Sequence, residues 1–230
     1  MKKASALTVL ALMGSMLTNA QDTQSTKKFR LGLEVCPNMG WITTDAKGLE
    51  SDGSRLGFRF GLLGDVQLGD NANYFFSTGL FLNNVGFKTK SSFSTTDSSG
   101  TVRTTTLTGE NKLQYVELPI SVKLKTNEIG YMTYFGQIGF DVGVLTAAKG
   151  KSGDGDFEDV SDFVSPIRVA LAVGGGLEYN FSGNTSALVG IKYSNGFTNV
   201  NKDKVSVGGV DVDQPKAKLH YFELTLGALF

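Results

Sequence analysis

The 230-residue sequence is poor in the residues that usually mark chemistry: one cysteine, one histidine, one tryptophan and four prolines. With Cys36 alone, no disulfide closes within the chain, and the thiol reads as a small residue on a strand. A single histidine, His220, supplies no histidine cluster for a metal. Charge of one sign is also missing: 22 basic residues stand against 22 acidic ones. That balance argues against a nucleic-acid binder driven by bulk charge. Beyond the first twenty residues, no apolar run is long enough for a membrane helix.

What the sequence does hold is alternation. In 113–125, Val116, Leu118, Ile120, Val122 and Leu124 form one row, and Tyr115, Glu117, Pro119, Ser121 and Lys123 form the other. Side chains of a strand point to opposite faces in turn, so this is a strand with one apolar and one polar face. At 3.4 Å per residue and a tilt near 40°, the apolar row covers roughly 23 Å, close to the apolar band of an outer-membrane barrel. A mean hydropathy of -0.05 is low for a helical membrane protein, but only half of a barrel strand faces lipid.

The same period recurs in eight stretches: 29–36, 55–68, 74–87, 113–125, 131–146, 163–179, 185–197 and 217–230. Aromatics stand on both rows of the third, for which Phe76, Leu80 and Leu82 are taken as outward. Pro37-Asn38 reads as the end of the first strand, with Trp41 near the start of a following loop, at the level of an interface belt. Connections alternate long, short, long, short, long, short, long. The segment 88–111, rich in Ser, Thr and Gly, is a long polar loop or the ends of two strands that extend beyond the membrane. The sequence therefore predicts an all-β, eight-stranded antiparallel up-and-down transmembrane barrel with short periplasmic turns and longer external connections. Such a chain lies in the bacterial outer membrane. Its partners are membrane lipid and lipopolysaccharide, with protein partners at the external loops and no nucleic acid.

Residues 1–20 read as a signal peptide: Met1-Lys-Lys gives the positive start, an apolar segment follows, and Thr18-Asn19-Ala20 ends on a small residue. Residues 21–28 then form a short periplasmic tail, and 29–230 form the barrel domain.

Charges sort to the inward rows: Arg30, Glu34, Arg59, Asp65, Glu117, Lys123, Asp141, Arg168, Glu178, Lys192 and Glu223. A basic side chain facing lipid at mid-depth costs roughly 2–4 kcal/mol, whereas inside a barrel charges of both signs can pair. An eight-stranded barrel is just wide enough for side chains to fill. These residues are expected to form a polar core, not an ion path. The chain ends on Phe230, preceded at alternating positions by Phe222, Leu224 and Leu226. That pattern resembles the signal read by the barrel-assembly machinery, a further expected partner.

Several segments resemble the outer-membrane β-barrel domain of the PorT-like family of Bacteroidetes, also called the porin family. They are Gly57-Phe58 through Leu68 with the later Thr78-Gly79-Leu80, Tyr115-Val-Glu-Leu-Pro-Ile120, Gly136-Gln-Ile-Gly139, Gly174-Gly-Gly176 and Leu226-Gly-Ala-Leu-Phe230. The architecture is also similar to the eight-stranded OmpX and OmpA barrels. One branch of the family serves in protein secretion, so the resemblance implies an accessory export role as one alternative. A narrow channel for small solutes is another.

Nothing points to catalysis, and no enzyme, cofactor or metal is expected. His220 has Tyr221 and Ser206 near it in sequence, but no nucleophile motif surrounds it. Asp154-Gly-Asp-Phe-Glu-Asp159 is acidic but lacks a full calcium-loop pattern. Gly174-Gly-Gly176 has no Lys-Ser/Thr partner for phosphate and suits close strand packing. Asn184-Thr-Ser186 matches a glycosylation acceptor, a weak sign in a bacterial chain. The leading expectation is a non-enzymatic barrel with a side-chain-filled lumen and a structural or surface-interaction role.

Overall fold

The computed structural model describes residues 28–45, 48–70, 72–96, 102–182, 185–207 and 210–230. The expected signal peptide and all but Lys28 of the expected tail lie outside them. Eight long strands form the wall: β1 (Phe29–Thr44), β2 (Leu49–Gln67), β3 (Tyr74–Thr96), β4 (Val102–Lys125), β5 (Met132–Ser152), β7 (Ile167–Ser182), β8 (Thr185–Asn199) and β11 (Ala217–Leu229). The short β6 (Glu158–Asp159) adds to β5, while β9 (Lys204–Val207) and β10 (Val210–Asp213) form a separate hairpin. Each wall strand pairs antiparallel with its neighbour in the chain, β4 pairs with β5, and β1 pairs with β11. The ring is therefore closed and leaves no edge within the wall.

Burial alternates with the sequence pattern. Along β1, Leu31, Leu33 and Val35 are exposed while Gly32, Glu34 and Cys36 are buried. On β4, Leu118, Ile120, Val122 and Leu124 face out, and Glu117 and Lys123 face in. On β3, Leu80 is exposed, Phe76 and Leu82 are half-buried on the same outward row, and Phe75, Ser77, Phe81 and Asn83 are buried inside. In water such an exposed apolar belt would be a gross cost; against lipid it is the seat of the protein.

Pro37-Asn38 does not end the first strand. β1 runs on to Thr44, and no long loop follows. The β1–β11 ladder skips Cys36 and Pro37, whereas the β1–β2 ladder continues through Cys36↔Arg59 and Pro37↔Phe58. Pro119 does the same on β4: the ladder to β3 skips it, and the ladder to β5 holds at Pro119↔Asp141. A proline that lacks a donor is tolerated where one ladder is locally open.

The long connections are also built differently from loops. β3 and β4 stay paired from Lys88↔Glu110 to Thr96↔Val102, so most of 88–111 is a β-ribbon that overhangs the membrane. β5 continues to Ser152, and a 3-10 turn at Ser161–Phe163 precedes β7, which starts at Ile167 instead of 163. The last long connection carries the β9–β10 hairpin. The rhythm in the sequence is thus largely one of strand overhang at one end. The opposite end has compact turns, such as the one at Gly69, whose φ of 69° favours glycine.

Candidate functional site: a filled lumen and an overhanging β surface

Two charged clusters occupy the lumen. Near the end that carries Phe29, Lys123 Nζ lies 2.7 Å from Asp65 Oδ2, and Ser77 donates to Asp65 Oδ1 at 2.5 Å. Lys125 Nζ stands 3.6 Å from Asp65 and 2.7 Å from Glu178 Oε1. Arg30 completes this cluster at 2.7 Å from Glu178 Oε2, and donates to Ser186 Oγ at 2.9 Å.

The second cluster centres on Arg59. Its Nη1 lies 3.1 Å from Glu223 Oε1 and 3.8 Å from Glu34 Oε2, and its Nε lies 3.4 Å from Glu117 Oε2. Lys192 Nζ bridges Glu223 at 3.1 Å and Asp141 at 3.3 Å. Arg168 pairs with Glu117 at 3.3 Å and donates to Ser194 Oγ at 2.9 Å. Tyr221 OH donates to Glu117 or Asp141, each 3.4 Å away, and Asn83 donates to Glu117 at 3.0 Å.

All eleven charges assigned to the inward rows stand in these two clusters. Lys125 is a twelfth, on the same row as Lys123 and readable from the same alternation. Together Arg30, Arg59, Lys123, Lys125, Arg168 and Lys192 face Glu34, Asp65, Glu117, Asp141, Glu178 and Glu223, so the network balances. Leaving one such charge unpaired in a low-dielectric interior costs several kcal/mol, in the range of about 3–5.

Apolar layers were the part of the lumen that alternation did not show. Leu63, Phe81, Phe135, Leu188 and Leu229 form a buried cluster, as do Ile42, Val85, Leu113, Tyr115, Leu219 and their neighbours toward the overhanging end. Leu62-Leu63 carried the available signal, two successive apolar residues in a strand that otherwise alternates. The glycine run of β7 serves this packing: a Cβ on Gly176 would meet the Val189 carbonyl and the Phe135 ring. The Phe81 ring lies 3.5 Å from the Arg59 guanidinium carbon, so charge and apolar layers interlock. Among the described residues, voids of about 20 and 10 Å³ lie between them, the larger lined in part by Glu34, Arg59 and Glu223. Each has room for about one water molecule.

His220 lies on the outward side at the outer interface. It stacks on Trp41 with ring centroids 6.0 Å apart, beside Tyr193 and Phe222. Both its ring nitrogens lack a hydrogen-bond partner, while Tyr221, next in sequence, points into the lumen. Trp41 therefore sits on β1 in an aromatic belt, not in a loop. Phe222, Leu224, Leu226 and Phe230 are 41–53% exposed on the lipid side. Asp159, in the acidic segment, is held below the usual carboxyl range by the Ser161 hydroxyl and by the Ser161 backbone N–H, which donates to it at 2.9 Å. Among the described residues, no group of acidic, histidine or cysteine side chains could hold a metal ion.

A family model described as "Outer membrane protein beta-barrel domain" matches residues 19–200. The chain belongs to this family. Its place is the bacterial outer membrane, in accord with the lipid-facing belt. No protein of curated function matches it in sequence. Among solved structures, it is similar to Neisserial surface protein A (NspA), with 13% identity, a TM-score of 0.51, and coverage of 90% of this chain and 98% of that one. It also matches OprG from Pseudomonas aeruginosa at 12% identity and TM-score 0.45, covering 88% of this chain and 95% of that one. The outer membrane protease OmpT from Escherichia coli matches at 7% and 0.44, covering 92% and 99%. At these identities the likeness to NspA speaks for the fold alone.

Proposed function

We propose that this outer-membrane barrel is non-enzymatic, with a sealed lumen and a surface-interaction role carried by the overhanging β-sheet. The observation that carries the reading is the interior: balanced ion pairs and apolar layers cross it from wall to wall. A solute channel needs a continuous aqueous path, and the ion pairs and rings that cross the lumen interrupt one. An enzyme of this architecture needs an activated nucleophile or base at the rim; His220 instead lies under Trp41 with no carboxylate or hydroxyl bonded to it. The overhanging ends of β2 to β5 supply an exposed surface rich in Ser, Thr and Lys on a rigid base.

Planar-bilayer recording tests the reading. The wild-type chain gives no steady conductance steps. Regular steps that respond to Arg59→Ala or Arg168→Ala would overturn it in favour of a narrow channel. An accessory part in export, implied by the PorT-like resemblance, is removed by normal secretion in a deletion strain and supported by a secretion defect there.

A further inference from the structure

On the outward face of β3, β4 and β5, the ladders align residues in rows across the three strands. Leu82, Val116 and Val144 form the last apolar row. One step up, Gln114 donates to Asn84 Oδ1 at 3.0 Å, and Thr146 Oγ1 donates to Gln114 Oε1 at 3.1 Å. The next row pairs Lys112 with Lys149, while Gly86 leaves the β3 position without a side chain. The row above places Lys88, Glu110 and Lys151 side by side. Arg55 reaches in from β2, with its Nε 2.6 Å from Glu110 Oε1; Lys151 Nζ lies 3.6 Å from Glu110 Oε2. The Arg55 hydrogen bond holds the Glu110 carboxyl below its usual range, so this carboxylate stays charged.

Arg55, Lys88, Lys112 and Lys151 thus stand around the one ionised carboxylate of Glu110, with Lys149 beside Lys112 in the row below. Lys88, Lys112 and Lys149 take part in no ion pair among the described residues, since the pairs of this region are Arg55–Glu110 and Lys151–Glu110. The Phe157 ring lies 3.5 Å from Lys112 Nζ and 5.3 Å from Lys151 Nζ, so one aromatic ring contacts both ammonium groups. Glu158 and Asp159 on β6 stand across from Gly150 and Lys149, and Asp159 partly offsets the Lys149 charge, which leaves Lys88 and Lys112 as the least compensated cations of the patch.

Position decides what this patch meets. Each row advances by two residues, roughly 5 Å along the membrane normal at the tilt of a barrel strand. The lysine rows therefore begin about 10 Å above the last lipid-facing apolar row, at the depth of outer-leaflet headgroups. We propose that this face binds the phosphate groups of a phosphorylated outer-leaflet glycolipid. The chemistry is a fixed array of ammonium groups set beside acyl chains that pack on Leu82, Val116 and Val144. The inference rests on the barrel's place in the membrane and is independent of whether its lumen conducts.

The test is lipid retention by the full chain, read by native mass spectrometry after release from phosphatidylcholine nanodiscs. The nanodiscs are doped with a bisphosphorylated diglucosamine lipid or with its dephosphorylated counterpart. The wild-type protein retains the phosphorylated lipid and loses the other. Lys112→Gln and Lys149→Gln each weaken retention about fivefold, the effect of one basic residue near an anionic surface. The double change Lys202→Gln/Lys204→Gln, on the far connection before β11, leaves retention unchanged. A heat-dependent gel shift verifies folding of each variant, and Lys88→Gln gives a second reading of the same patch. Equal retention of both lipids by the wild type, or undiminished retention by the Lys112 and Lys149 variants, would overturn the proposal.

Discussion

Arg59 and Glu223 meet across the lumen with 3.1 Å between Nη1 and Oε1, although 164 residues separate them in the chain. The contact exists because β11 closes the ring against β1, and β1 in turn pairs with β2. Arg59 also serves Glu34 and Glu117, so one guanidinium holds three carboxylates. Arg59→Met leaves that acidic group undercompensated and is expected to destabilise the barrel by about 3–5 kcal/mol. Urea unfolding in lipid, followed by the emission of the single Trp41, measures it. Adding Glu223→Gln to Arg59→Met restores part of the loss; strictly additive losses would show that the two side chains do not act together.

Leu107 and Leu118 are almost equally exposed, at 48% and 45%, yet they face different solvents. Leu118 lies in the lipid band, and Leu107 lies on the overhanging ribbon opposite Ser91. Leu118→Arg is expected to cost about 2–4 kcal/mol. Leu107→Arg stays within about 0.5 kcal/mol of wild type, as for a surface change in water. The same unfolding experiment compares them, and equal costs would misplace the membrane boundary.

Phe135 fills the space that Gly176 and Gly190 leave open. Phe135→Ala removes a ring from a buried layer and is expected to cost about 3–5 kcal/mol. Gly176→Val should fail to assemble, since its Cβ would strike the Val189 carbonyl and the backbone of Gly190. The heat-dependent gel shift, retained by Phe135→Ala and absent in Gly176→Val, distinguishes a loosened barrel from an unformed one.

The membrane-crossing parts of all eight strands were legible because lipid on one side and a charged lumen on the other impose a period of two. Strand ends were not legible. Above the membrane, water replaces lipid and both faces of the ribbon can be polar, so 88–111 reads as a loop or as overhanging strand ends alike, and it is the second that the pairing of Ser91 to Thr96 with β4 bears out. Pro37 misled for a local reason: it looks like a breaker, but the ladder to β11 opens around it. Inward placement of Arg59, Glu117 and Lys192 followed from parity. Which carboxylate each one meets depends on strand stagger and closure, which no local pattern encodes. The layer around Phe81 and Phe135 was hidden because an inward aromatic looks like any other aromatic until its glycine neighbours across the sheet are known.

The seal of the lumen is tested most directly by the protein's own cysteine. Cys36 is 0% exposed and lies on the inward row of β1, level with Arg59 in the ladder to β2. In the folded protein in liposomes, a membrane-impermeant maleimide should leave Cys36 unlabelled, and boiling in detergent should make it fully reactive. Rapid labelling of the folded barrel would mean that water and small solutes reach the central ion pairs, and would contradict the sealed lumen.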